Sequence, residues 1–169
     1  MEDTVQNKEI DTKKESVQEP FNGTLITPFR AFADERGWLM EVFRDDESTH
    51  KPKMGYASFT HFGVSRGPHE HVNQTDFFVF SGPGDFSMHL WDARKDSATS
   101  GKYFTIVVGE SNPCSVAVPP GVVHGYKCIS EKGAYYVNLP NALFAGEGKK
   151  EEVDEIRHEH DENSPYQIE

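Results

Sequence analysis

Asp76-Phe77-Phe78-Val79-Phe80-Ser81-Gly82-Pro83-Gly84-Asp85-Phe86-Ser87-Met88-His89-Leu90-Trp91 is the stretch that decides how this chain folds. Two aromatic-rich runs, 76–80 and 86–91, flank Ser81-Gly82-Pro83-Gly84, where glycine and proline favour a turn. In the second run Phe86, Met88 and Leu90 share one face of an extended chain, and Ser87, His89 and Trp91 share the other. A period of two is the mark of a half-buried strand. The stretch reads as strand, turn, strand.

The same texture continues in both directions. Residues 24–26, 38–43 and 56–62 upstream, and 103–108, 114–118, 124–129 and 134–139 downstream, are short β-rich runs between turn residues. The 12 Phe, 6 Tyr and 2 Trp suit a pleated surface, where aromatic side chains pack well. Close-set short strands predict an all-β sandwich or barrel and not βαβ units. Residues 1–20 are charged, lack apolar periodicity and read as a disordered lead-in, which leaves one domain over 21–169. Its tail, 147–169, is densely charged, and a short helix over 149–158 is the one helical expectation.

Charge and composition exclude several classes of function. A net charge of −11 disfavours nucleic acid, which needs a concentrated basic face, yet leaves room for a small anionic ligand held by a few local cations. No apolar run reaches the roughly 18–20 residues of a membrane helix. The polar first residues resemble neither a signal peptide nor an anchor, so a cytoplasmic protein is the default expectation. Cys114 and Cys128 have no CxxC spacing. A disulfide framework is not expected, and pairing of those two is left open.

Upstream of the opening stretch lies Arg66-Gly67-Pro68-His69-Glu70-His71. On a strand, His69 and His71 project from one face, and Asp76 follows five residues later. Pro119-Pro120-Gly121-Val122-Val123-His124 is a tight turn that delivers a third histidine to the start of a strand. The two segments resemble the paired cupin motifs, HxH with an acidic residue and then PxGxxH. That resemblance implies a double-stranded β-helix (jelly-roll) barrel and makes His69, His71, Asp76 and His124 candidate ligands for a divalent metal. Imidazole and carboxylate donors suit Zn, Ni, Fe or Mn without choosing among them.

A longer pattern spans most of the chain. Phe32-Ala33-Asp34-Glu35-Arg36-Gly37 with Glu41, Gly63 to His69, Asp92-Ala93-Arg94 with residues 97–103, Val118 to Tyr126, and His160 to Pro165 occur in order. Together they resemble the dTDP-4-dehydrorhamnose 3,5-epimerase family, a branch of the cupins. The resemblance implies a carbohydrate epimerase or isomerase that acts on a keto sugar, typically nucleotide-linked, and requires no cofactor. In it His69 would remove a proton next to the carbonyl, Asp161 would orient that imidazole, and His124 would stabilise the enolate oxygen. Phe32, Arg36, Glu41 and Arg66 would bind substrate. Related epimerases are dimers that exchange strands, so a homodimer is implied.

Several positions depart from that family. His71 replaces a glutamine, and Asp76 stands at or beside the place where the family has a diphosphate-binding lysine. The family's catalytic tyrosine falls on Asn141 or Ala142, neither of which donates a proton as a phenol does. Tyr56 and Tyr136 are the spatial substitutes to consider. Two further readings therefore stand beside the epimerase: a metal-dependent cupin enzyme using three His and one Asp, and a non-catalytic sugar-binding cupin.

Overall fold

A computed structural model describes residues 16–169 of the protein. Of the expected lead-in, 1–15 fall outside the described residues, whereas Gln18 already forms a β-bridge with Ile26. The ordered chain thus begins before residue 21. Twelve strands follow in order: β1 (Leu25–Pro28), β2 (Ala31–Asp34), β3 (Gly37–Met40), β4 (Tyr56–Thr60), β5 (Ser65–Glu70), β6 (Asp76–Phe80), β7 (Asp85–Asp92), β8 (Tyr103–Gly109), β9 (Cys114–Val118), β10 (Val122–Cys128), β11 (Ala134–Asn138) and β12 (Ile156–Arg157). The helix expected over 149–158 does not form. In its place are two three-residue 3-10 turns, Glu147–Lys149 and His158–His160, with β12 between them. Gly148, just ahead of 149–158, takes a left-handed backbone (φ 66°), and residues 156–157 pair with β5 instead of continuing a helix.

The strands build two five-stranded antiparallel sheets, β1-β9-β6-β11-β4 and β12-β5-β10-β7-β8, with β2 and β3 forming a separate hairpin. The core joins both sheets: Phe78, Phe80, Val116, Val118 and Tyr136 from the first meet Phe86, Met88, Leu90, Val108 and Tyr126 from the second. Each large apolar side chain so buried stabilises the fold by about 1.5–3 kcal/mol relative to exposure. The face carrying Phe86, Met88 and Leu90 is the buried one, as the period of two requires. Cys114 and Cys128 are buried and form no disulfide. Among the described residues no helix is long and apolar enough to cross a membrane.

Two details of β5 position the site. Its pairing with β10 sets His69 opposite His124, then shifts by one residue so that Arg66 faces Tyr126. Such a bulge re-aims side chains. Gly67 lies inside it at φ 77°, and a Cβ there would stand 2.7 Å from the His124 carbonyl oxygen and 2.9 Å from His69 Nδ1. Only glycine lets the two strands approach this closely beside the histidines.

Candidate functional site

A cleft of about 1320 Å³ opens beside β5, bordered by the β4 and β11 strands and by the segment 140–159. Tyr56, Arg66, His69, His71 and Tyr136 reach its wall. Strand periodicity turns His69 and His71 to one face, and the β5–β10 register brings His124 against them, with ring centroids 4.4 Å (His69–His124) and 5.7 Å (His69–His71) apart. Asp76, at the start of β6 in the opposite sheet, completes the group. One donor atom from each of His69, His71, Asp76 and His124 lies within 4.8 Å of every other.

The hydrogen bonds within this group are specific. Asp76 Oδ2 is 3.1 Å from both His71 Nε2 and His124 Nε2, while Asp76 Oδ1 accepts from Asn138 Nδ2 at 2.8 Å and from Gln74 Nε2 at 2.9 Å. Burial works against the Asp76 carboxylate, yet the imidazoles facing it, His124 ahead of His71, hold its pKa well below the usual range. It is ionised. Burial, followed by the neighbouring His124, pushes the His69 imidazole down to about 2, so this ring is neutral and carries a free lone pair near pH 7.

The structure does not bring Asp161 to His69. The backbone of Asn163 donates to the Asp161 carboxylate, which lies exposed beyond the second 3-10 turn. In addition to Asp76 of the cluster, it is Glu155 from the tail that stands beside His69, with Oε1 at 3.9 Å from Nδ1. Sequence reasoning missed it, because β12 pairs with β5 through its backbone (Arg157 opposite His69) and so fixes residue 155 without any side-chain pattern. Asp154 was missed for the same reason. Its carboxylate accepts from the backbone amides of Val72, Asn73 and Gln74, each at 2.8 Å, and clamps the turn after His71.

His124 also differs from expectation. It is 1% exposed and stands behind the cleft wall, so it does not offer a donor to a molecule in the cleft as an enolate-stabilising group must. Phe32, Arg36 and Glu41 do not line the cleft of their own chain. They sit on or just after the β2–β3 hairpin, where Arg36 pairs with Asp34 and Arg44 with Glu41. Asn141 and Ala142, which stand in place of the family's tyrosine, do line the cleft, and Asn141 Oδ1 accepts from the Thr75 amide at 2.8 Å. Tyr56 keeps its hydroxyl on the wall, where Asn138 Nδ2 donates to it at 3.0 Å; burial chiefly raises its pKa, so it remains a phenol.

Comparisons with known proteins identify the family of this fold. The family model described as dTDP-4-dehydrorhamnose 3,5-epimerase matches residues 18–151. The chain belongs to that family. A probable low-salt glycan biosynthesis epimerase of Haloferax volcanii is 38% identical over 123 residues, covering 71% of this chain and 78% of its own. A spore coat polysaccharide biosynthesis protein of Bacillus subtilis is 34% identical over 112 residues, covering 65% and 73%. The crystal structure of the dTDP-4-dehydrorhamnose 3,5-epimerase of Sulfolobus tokodaii superposes with a TM-score of 0.66 at 26% identity, over 74% of this chain and 73% of that one. A dTDP sugar isomerase of Desulfovibrio desulfuricans reaches 0.76 at 20% identity, over 90% and 94%, a likeness of fold alone. The epimerase family is thus joined to a cupin jelly roll, as the paired motifs imply.

Proposed function

We propose that this chain is a carbohydrate epimerase that inverts a centre next to the ketone of a nucleotide-linked keto sugar, with His69 as the general base. The observation that carries the reading is His69 itself: an imidazole on the wall of a large cleft, at the family's RGxH position, with the Glu155 carboxylate 3.9 Å behind its Nδ1. A base so placed takes the proton from the carbon next to the carbonyl, and the electron pair moves to the ketone oxygen as an enolate. The Glu155 carboxylate balances the charge the ring acquires. Return of a proton to the opposite face of that carbon inverts it. Tyr56 is the phenol we assign to that step, because its hydroxyl accepts from Asn138 and keeps its own proton to give. Arg66 on the cleft wall supplies a cation for the anionic substrate.

Incubation with dTDP- and GDP-linked 4-keto sugars in D2O tests this reading. Deuterium should enter the ring next to the ketone of at least one of them. No exchange across the panel would favour a binding protein that kept the cleft and lost the chemistry.

The active unit in this reading is a homodimer. The β2–β3 hairpin joins neither sheet and leaves Trp38, Leu39 and Phe32 exposed, at 59%, 61% and 49%. A second copy that covers it would carry Phe32, Arg36 and Glu41 toward the neighbouring cleft. Sedimentation should give a dimer, and Trp38→Glu should shift it toward monomer and weaken nucleotide binding. A monomeric wild type would leave those three residues without a role in this site.

A further inference from the structure

Strand β12 divides the tail between the two faces of its sheet. Successive strand residues point to opposite sides, and the register sets Arg157 opposite His69 and Ile156 opposite Glu70. Glu155 and Arg157 therefore face the cleft, and both line it. There Arg157 Nε and Nη2 donate to Glu155 Oε2 at 2.8 and 2.6 Å, a charge-assisted fork that leaves Oε1 toward His69 Nδ1 at 3.9 Å. His158 turns the other way, and its Nε2 donates to Glu70 Oε1 at 2.9 Å. Strand β12 is short and both its residues are exposed, so its backbone pairing alone would open readily.

The chain after β12 supplies a further hold. From the sheet edge it returns over the outer face, past β5 and β10, as far as β7. The Tyr166 ring centroid lies 4.8 Å from that of His158 and 5.7 Å from that of Trp91, which stands on the side of β7 opposite the buried Leu90. Ile168 fills the space that Gly125 leaves on β10: a Cβ at Gly125 would stand 2.7 Å from Ile168 Cδ1. The turn between is closed by its own bonds. The buried Ser164 accepts from the Tyr166 amide at 3.2 Å through Oγ, and Gln167 Nε2 donates to the Ser164 carbonyl at 2.8 Å. Ring contacts and a filled glycine gap tie down a charged segment that would otherwise fray. We infer that residues 158–168 form a latch on the outer face of the sheet, which holds β12 and thereby keeps the Arg157–Glu155 pair against His69. His158, Tyr166 and Ile168 are positioning residues, since none of them lines the cleft. The effect on turnover rests on His69 as the proposed base, whereas the hold on β12 does not.

Tyr166→Ala and Ile168→Ala, each compared with wild type in the full-length protein, test the latch. Backbone amide hydrogen exchange over 155–158 should speed up about 10-fold or more in each, while exchange over β6 and β9 stays as in wild type. Deuterium entry next to the ketone should slow about 10-fold in kcat with KM nearly constant, because Glu155 and Arg157 lose their placement while the rest of the cleft wall stays. Tyr166→Phe keeps the ring and should restore both rates to wild-type values. Amide exchange over 155–158 within about twofold of wild type in folded Tyr166→Ala and Ile168→Ala would overturn the inference. Faster amide exchange with unchanged kcat would overturn it equally, because the latch would then have no influence on the site. A wild type that exchanges no deuterium into any keto sugar would count against His69 as the base, and amide exchange, which involves no sugar, would then decide the hold on β12 by itself.

Discussion

His69→Asn is expected to slow deuterium uptake next to the ketone by about 10²–10⁴-fold, the usual contribution of a positioned general base. Asparagine fills much of the imidazole volume but has no nitrogen lone pair able to take a proton. KM should change little, because Tyr56, Arg66 and the rest of the wall are untouched. Glu155→Gln provides the graded comparison. It keeps the shape and removes the charge facing Nδ1, so kcat should fall by up to about 10²-fold through a less well-placed base, again with KM nearly constant. Glu155 acts through His69, so a fall in kcat without a fall in melting temperature marks a positioning role. A His69→Asn protein that keeps a third or more of the wild-type exchange rate would remove His69 as the base.

Asp92→Asn is expected to destabilise the fold by about 3 kcal/mol, within the range for breaking a buried ion pair from one side. Asp92 is fully buried at the end of β7, and its carboxylate accepts from Arg94 Nε at 2.7 Å, Arg94 Nη2 at 2.9 Å, Ser97 Oγ and Thr99 Oγ1. It ties down the loop before β8. Burial alone would raise this carboxyl, but Arg94, Ser97 and Thr99 together hold it below its ordinary range. The folded state therefore binds the proton less readily than the unfolded chain. This contribution is complete above the unfolded value near pH 4 and is lost as pH falls through the lower folded one. Urea unfolding at pH 7 should separate wild type and variant by the full amount, and the gap should narrow below about pH 4. Equal midpoints at pH 7 would mean the loop is held by other contacts.

Much of the barrel was legible because burial on one face of a strand leaves a side-chain period. Phe86, Met88 and Leu90 are each 0% exposed, and the expected runs 76–80 and 114–118 match β6 and β9. The histidine group was legible for a related reason: residues two apart share a face, and the turn before His124 has its own signature. The β12 strand was not legible. Ile156 and Arg157 are both exposed and pair only through the backbone, which any sequence can do. Its consequence, Glu155 beside His69, was therefore hidden, and a motif match favoured Asp161 in the same charged tail. The hairpin residues Phe32, Arg36 and Glu41 lie outside the cleft because β2 and β3 form a sheet of their own, and only the proposed dimer would carry them to one. Burial of His124 behind His69 depended on the bulge at Gly67, which no periodicity announces.

A crystal structure of the protein with a bound nucleotide-linked 4-keto sugar, or a stable analogue, examines the chemistry at its source. The sugar ring should lie in the Tyr56–Arg66–His69 cleft, with a ring nitrogen of His69 about 3–3.5 Å from the carbon beside the carbonyl. A sugar seated elsewhere, or turned so that His69 meets only the nucleotide, would contradict the assignment of this imidazole as the base.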